Sequence, residues 1–113
     1  MPVDERQFLL TAMWLFMRHG RRDRALSVCE ALSESDPRDG TVAVAYAELL
    51  VGEGKALEAV EILRAADMPP ELSHAEAVLE TRALRVAGRR GEADARWRRY
   101  IESQKGAARQ WIA

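Results

Sequence analysis

Residues 19–37 read HGRRDRALSVCEALSESDP, residues 52–70 read GEGKALEAVEILRAADMPP, and residues 87–104 read AGRRGEADARWRRYIESQ. In each stretch a glycine is followed five residues later by an alanine, and then by apolar residues at helical spacing. Gly20, Gly54 and Gly88 are 34 residues apart (54 − 20 and 88 − 54), and Ala25, Ala59 and Ala93 keep the same interval. Two residue types holding one period three times mark an internal repeat.

Around these punctuation points the chain reads as helices. Phe8, Leu9, Ala12, Met13, Phe16 and Met17 carry the i, i+3, i+4 rhythm of an amphipathic helix over 6–18, and Gly20 ends it. Ala25, Leu26, Val28, Cys29 and Leu32 continue the rhythm over 22–35, up to Pro37. The same alternation predicts helices over 40–52 and 56–66, stopped by MPP, and over 72–87 and 91–104. Asp36 or Asp39 is placed to cap the helix at 40, and Ser73 lies near the start of the helix at 72. No segment alternates apolar and polar residues with period 2, so the expected class is all-α: six helices in three hairpins, one domain over 1–113.

Composition limits what such a chain does. Of its 113 residues 48% are hydrophobic, enough for a core, and 17 basic residues nearly cancel 18 acidic ones. A globally electrostatic role such as coating nucleic acid is therefore disfavoured. Arg outnumbers Lys by 15 to 2. Cys29 is the single cysteine, which excludes a disulfide framework and a thiol metal cluster. No run on the order of 18 apolar residues exists to span a membrane, and the start, MPVDERQFLL, lacks a basic n-region and a cleavage site. A soluble, cytoplasmic protein without direct membrane insertion is expected.

Charge is uneven along the chain. Residues 40–73 hold six acids against Lys55 and Arg64, a net −4, and residues 74–113 hold nine bases against five acids, a net +4. Arg89, Arg90, Arg96, Arg98 and Arg99 are expected on the solvated face of the last hairpin. No stacking aromatics interleave these arginines in the manner of a nucleic-acid site. Catalysis finds no support either. His19 and His74 lie in different repeats, Cys29 occupies an apolar helical position that predicts a buried, inert thiol, and VGEGKAL lacks the spacing of a phosphate loop. No cofactor, metal or catalytic residue is expected.

A 34-residue helix hairpin repeated three times resembles the tetratricopeptide repeat, here over about 6–39, 40–73 and 74–107. In that repeat the turn carries a small residue and the second helix opens on an alanine where the two helices cross closely. Large apolar residues follow four and seven positions on: Cys29 and Leu32, Leu63 with the small Ala66, Trp97 and Tyr100. Pro37 stands at the consensus proline. The sequence departs at the consensus tryptophan, replaced by Leu9, Ala43 and Ala77, and at the consensus glycine, replaced by Met13, Ala47 and Thr81.

The resemblance implies a short right-handed superhelical stack with a short C-terminal extension and a concave groove lined by the first helix of each repeat. Its register places Gln7, Leu10, Trp14, Met17 and Arg18 of the first unit on that groove. Thr41, Val44, Glu48 and Val51 follow from the second, and Ala75, Val78, Arg82, Arg85 and Val86 from the third. Such a lining would accept an amphipathic helix or an extended segment, with Trp14 as an anchor and Arg82 and Arg85 meeting acidic residues of a partner. Alternatively Trp14 and Met17 pack on the chain's own C-terminus or complete the core. Trp111 and Ile112, too apolar to stand free, would fold back on the third hairpin or mark a surface for a dimer or a partner.

A narrower likeness rests on ERQFLLTAMWLFMRHGRRDRALSVCEALSESDP. Phe8, Leu9, Leu10, Trp14, Leu15, Gly20, Ala25, Leu32, Asp36 and Pro37, with Trp97, Arg98, Tyr100 and Ile101 near the end, resemble the YscY (SctY) group of bacterial type III secretion chaperones. That resemblance implies a non-enzymatic cytoplasmic chaperone for protein transport in virulence. It would hold a small exported YscX-like protein and present it to the export gate protein, with a homodimer open to it when cargo-free. Two alternatives stand beside it. One is the class of chaperones for the pore-forming translocators of the same system. The other is a general tetratricopeptide scaffold for protein–protein interaction, although the chain has no Asn for a carboxylate clamp.

Overall fold

The structure, a computed structural model, describes the backbone of residues 1–112 and the side chains of residues 1–111. It is all-helical over these residues: α1 (Val3–Arg18), α2 (Arg22–Ser35), α3 (Gly40–Gly52), α4 (Ala56–Ala65), α5 (Ser73–Val86) and α6 (Arg90–Ile112), with a single 3-10 turn at Pro70–Leu72 before α5. α1 packs on α2, α3 on α4 and α5 on α6, and the pairs are joined through α2 with α3, α4 with α5 and α3 with α5.

The three turns inside the pairs are built alike. Gly20, Gly54 and Gly88 have φ of 71°, 79° and 80°, a left-handed conformation that a side chain disfavours. After each glycine the next N–H reaches back to the carbonyl five residues earlier: Arg21 to Phe16, Lys55 to Leu50 and Arg89 to Leu84, all at 2.8 Å. The chain is thereby reversed within three residues. Ala25, Ala59 and Ala93, which the sequence placed at the close crossing, are all fully buried.

The links between pairs differ from one another. Asp39, one of the two candidate caps, accepts the Val42 N–H at 3.3 Å. It also takes the Arg6 guanidinium at 2.7 Å, tying α1 to the start of α3. Gly40 lies so close to the Asp67 carbonyl and the Pro69 ring that an added Cβ would come within 2.6 Å and 2.7 Å of them. Ser73 does not cap α5; it is the helix's first residue, and the turn from Pro70 leads straight into it.

The core runs along the molecule as a seam, from Met13 and Cys29 through Tyr46, Leu49, Leu50, Val60 and Leu63 to Leu79, Leu84 and Ala93. The radius of gyration is 15.3 Å with extents of 44 × 34 × 23 Å, against about 13 Å for a compact chain of this length. The excess fits a row of pairs with a protruding last helix.

That last helix corrects the expectation of a stop near residue 104. α6 runs through Gly106 to Ile112, 23 residues, because Gly106 is flanked by Gln104, Lys105, Ala107 and Ala108, good helix formers that outweigh one glycine. Trp111 does not fold back on the third pair: it is 91% exposed. The packing of Ile112 lies outside the described residues.

Candidate functional site

Two adjoining pockets gather part of the expected groove. Val44 and Glu48 of α3 face His74, Ala75, Val78, Leu79 and Arg82 of α5 across a shallow pocket of about 260 Å³. Beside it, Val78, Arg82 and Arg85 line a cleft of about 470 Å³ with Thr81 and with Trp97 of α6. Helical spacing explains the grouping. Positions 44 and 48, and 75, 78, 82 and 85, each follow one stripe of their helix, and α3 packs alongside α5.

The first-unit positions lie outside these two pockets. Leu10 and Met17 are half-buried against the core, as are Val44 and Val51. Gln7, Arg18 and Thr41 are exposed, as is Val86, the last residue of α5. Trp14 is 53% exposed and does not complete the core. The Arg18 guanidinium sits 4.8 Å over its ring, so one face of the indole is shielded by its own helix through a cation–π contact.

Electrostatics divides the site. Arg82 makes no ion pair among the described residues, while Arg85 approaches Asp94 at 3.7 Å with both side chains well exposed, a contact worth little in water. Both guanidiniums therefore remain available beside the apolar patch of Val44, Val78 and Trp97.

One arginine departs from the expected solvated face. Arg96 is buried, its Nε donating to Glu80 at 2.7 Å and its terminal nitrogen to Glu76 at 3.1 Å. Glu80 also accepts from Arg64 of α4 at 2.9 Å. This network pins α4, α5 and α6 together behind the site. Composition alone missed it, but the 34-residue spacing carried a signal. Arg96 stands where Val28 and Ile62 stand in the earlier units, and Glu80 where Ala12 and Tyr46 stand. Opposite charges at two apolar repeat positions point to a buried pair.

The remaining reactive groups offer little chemistry. Cys29 is buried with its sulfur 3.2 Å from that of Met13, and burial first, then the nearby Glu30 carboxylate, pushes its thiol up to about 12. His74 Nδ1 lies 3.0 Å from the Tyr100 hydroxyl on the surface, and His19 caps the end of α1 through its backbone N–H. Among the described residues no group of three or more His, Cys, Asp or Glu side chains could hold a metal ion. No helix there is long and apolar enough to cross a membrane. What the surface offers is apolar contact flanked by free charge.

In comparison with known proteins, no family model, no curated protein and no solved structure matches the chain.

Proposed function

We propose that the chain is a protein-binding module of three tetratricopeptide-type hairpins, acting as a cytoplasmic type III secretion chaperone of the YscY kind. Its cargo would be a small exported protein of the YscX kind, held as a helix or extended segment along the first helices of the three units. Val44 and Val78 would take apolar side chains, Trp14 would anchor one end, and Arg82 and Arg85 would meet acidic residues.

The observation that supports this reading is the split of accessibility along α1, α3 and α5. Every position assigned to the groove is exposed or half-buried, while Met13, Ala43, Ala47, Ala77 and Thr81 between them are buried. A stripe at helical spacing that stays accessible after all six helices have packed is what a binding face requires.

Capture of the chain with its bound partner from the cytosol of its own bacterial host, followed by mass spectrometry, tests the reading. A small secreted protein recovered in a stable complex is the expected result. Trp14→Ala and Leu10→Ala should then weaken that complex about tenfold or more, the scale of a moderate interface anchor, with a smaller effect on the melting temperature. Recovery of several unrelated proteins or of none, or loss of fold and binding in strict parallel, refutes it.

A further inference from the structure

The two ends of the molecule carry unfinished faces that match each other. The 34-residue spacing aligns Phe8 and Leu15 of α1 with Val42 and Leu49 of α3. Val42 and Leu49 are buried, yet Phe8 is 71% and Leu15 45% exposed. Each of these helices has its own hairpin partner, and a following pair packs on each hairpin. Among the described residues α3 packs against a preceding pair and α1 does not.

At the other end no pair packs beyond α5 and α6 among the described residues. Thr81 and Trp97 align with Ala47 and Leu63, and with Met13 and Cys29, four residues that are buried. Trp97 stays half-exposed in the 470 Å³ cleft. The Thr81 hydroxyl is buried beside it without a hydrogen-bond partner.

We propose that a second copy of this chain seats its α1 in the cleft between α5 and α6, continuing the row head to tail. This rests on the 34-residue register; the cleft shares Val78, Arg82 and Arg85 with the proposed groove, so a second copy and cargo would compete for it. In the single chain α3 follows α1 and α2, and α5 follows α3 and α4; α1 of the next copy is their counterpart after α5 and α6. Charge agrees with the placement. The short links into α3 and α5 set the start of each incoming helix beside the end of the one before it. Asp4 and Glu5 in the first turn of α1 thus meet the last turns of α6, where Lys105 lies 3.6 Å from Glu102 and Arg109 adds a further positive charge. The contact joins two different faces, so every copy added leaves one of each open and association grows with concentration.

Light scattering on the purified chain, with two point variants, tests this. Phe8→Arg spoils the α1 face and Val78→Glu spoils the cleft. Both positions are exposed, so both variants should keep the helical circular dichroism of the parent. The parent mass should rise above 12.7 kDa with concentration, and each variant alone should stay at 12.7 kDa. Their equimolar mixture should reach 25.4 kDa (2 × 12.7) and stop, because only one good face of each kind remains. A parent that stays monomeric at its highest soluble concentration overturns the proposal and leaves the cleft to a helix of another protein. So does a variant that still dimerises alone, or a mixture that stays monomeric. Phe8 is not a groove position, so Phe8→Arg should lose self-association and keep cargo binding, which separates failure of this proposal from failure of the groove reading.

Discussion

Replacing Glu80 by leucine should cost the protein more than any other single surface-charge or ion-pair change. The Glu80 side chain is 6% exposed and accepts from Arg96 and Arg64, while Arg96 is itself 10% exposed. Removing one partner of a buried pair costs about 3–5 kcal/mol, because the other charge is left without compensation. Here Glu76 remains within 3.1 Å of Arg96 and keeps part of the compensation, which brings the cost to the bottom of that range or just below it, about 2–3 kcal/mol. For a domain of this size each kcal/mol moves the melting temperature by about 4 °C, giving a fall of roughly 8–12 °C. The double variant Glu80→Leu with Arg96→Met removes both charges and keeps the volume, and should return to within about 1 kcal/mol of the parent. Arg64→Ala removes only a partner that is 61% exposed and should cost under about 1 kcal/mol. Thermal and urea unfolding of the parent, these three variants and Arg96→Met alone read this directly. A single variant within about 0.5 kcal/mol of the parent, or a double variant as unstable as the two single losses added, would show that the pair is solvated and the reasoning wrong.

Three further outcomes follow, from a turn glycine, a helical glycine and the thiol. Gly54→Ala meets no atom within 4 Å but must hold φ near 79°, so it should destabilise by about 1–2 kcal/mol. The same change at Gly106, inside α6 with nothing near it, should raise helicity and add up to about 1 kcal/mol; equal signs in unfolding experiments would contradict this. Cys29 should resist thiol reagents at pH 8 except through unfolding. From pH 9, where the unfolded chain's thiol begins to ionise, up to about 12, where the buried thiol follows, the folded state holds a proton that the unfolded state has lost. Stability should therefore fall with rising pH by up to about 1.4 kcal/mol per unit. Cys29→Ala should flatten that slope, and native-state labelling at a free-thiol rate would exclude the burial.

Much of the architecture was legible because one device writes it three times. A glycine that alone tolerates a left-handed turn, and an alanine that alone fits the crossing, mark the hairpins without any appeal to long-range contacts. The expected helix at 40–52 matches α3 residue for residue. Gly106 misled because a glycine marks a helix end only where the chain must leave helical φ, and nothing forces it to do so there. Arg96 misled because it was judged by its residue type within RWRRY; its repeat position, shared with Val28 and Ile62, was the better guide. The accessible stripe along α1, α3 and α5 could be placed by register, but not the way its second and third parts converge on Trp97. That depends on the angle between α5 and α6, which no local pattern encodes.

The pair-by-pair construction also governs how the molecule opens. Each pair is held mainly by packing within itself and on its immediate neighbour, so contacts are short in sequence and folding should be fast for the chain's length. Loss of an end pair leaves the others their cores, so α1 with α2, or α5 with α6, can peel away while α3 and α4 remain folded. Backbone amides in the middle pair are then the slowest to exchange with water, and both faces offered for association lie on the parts that open first.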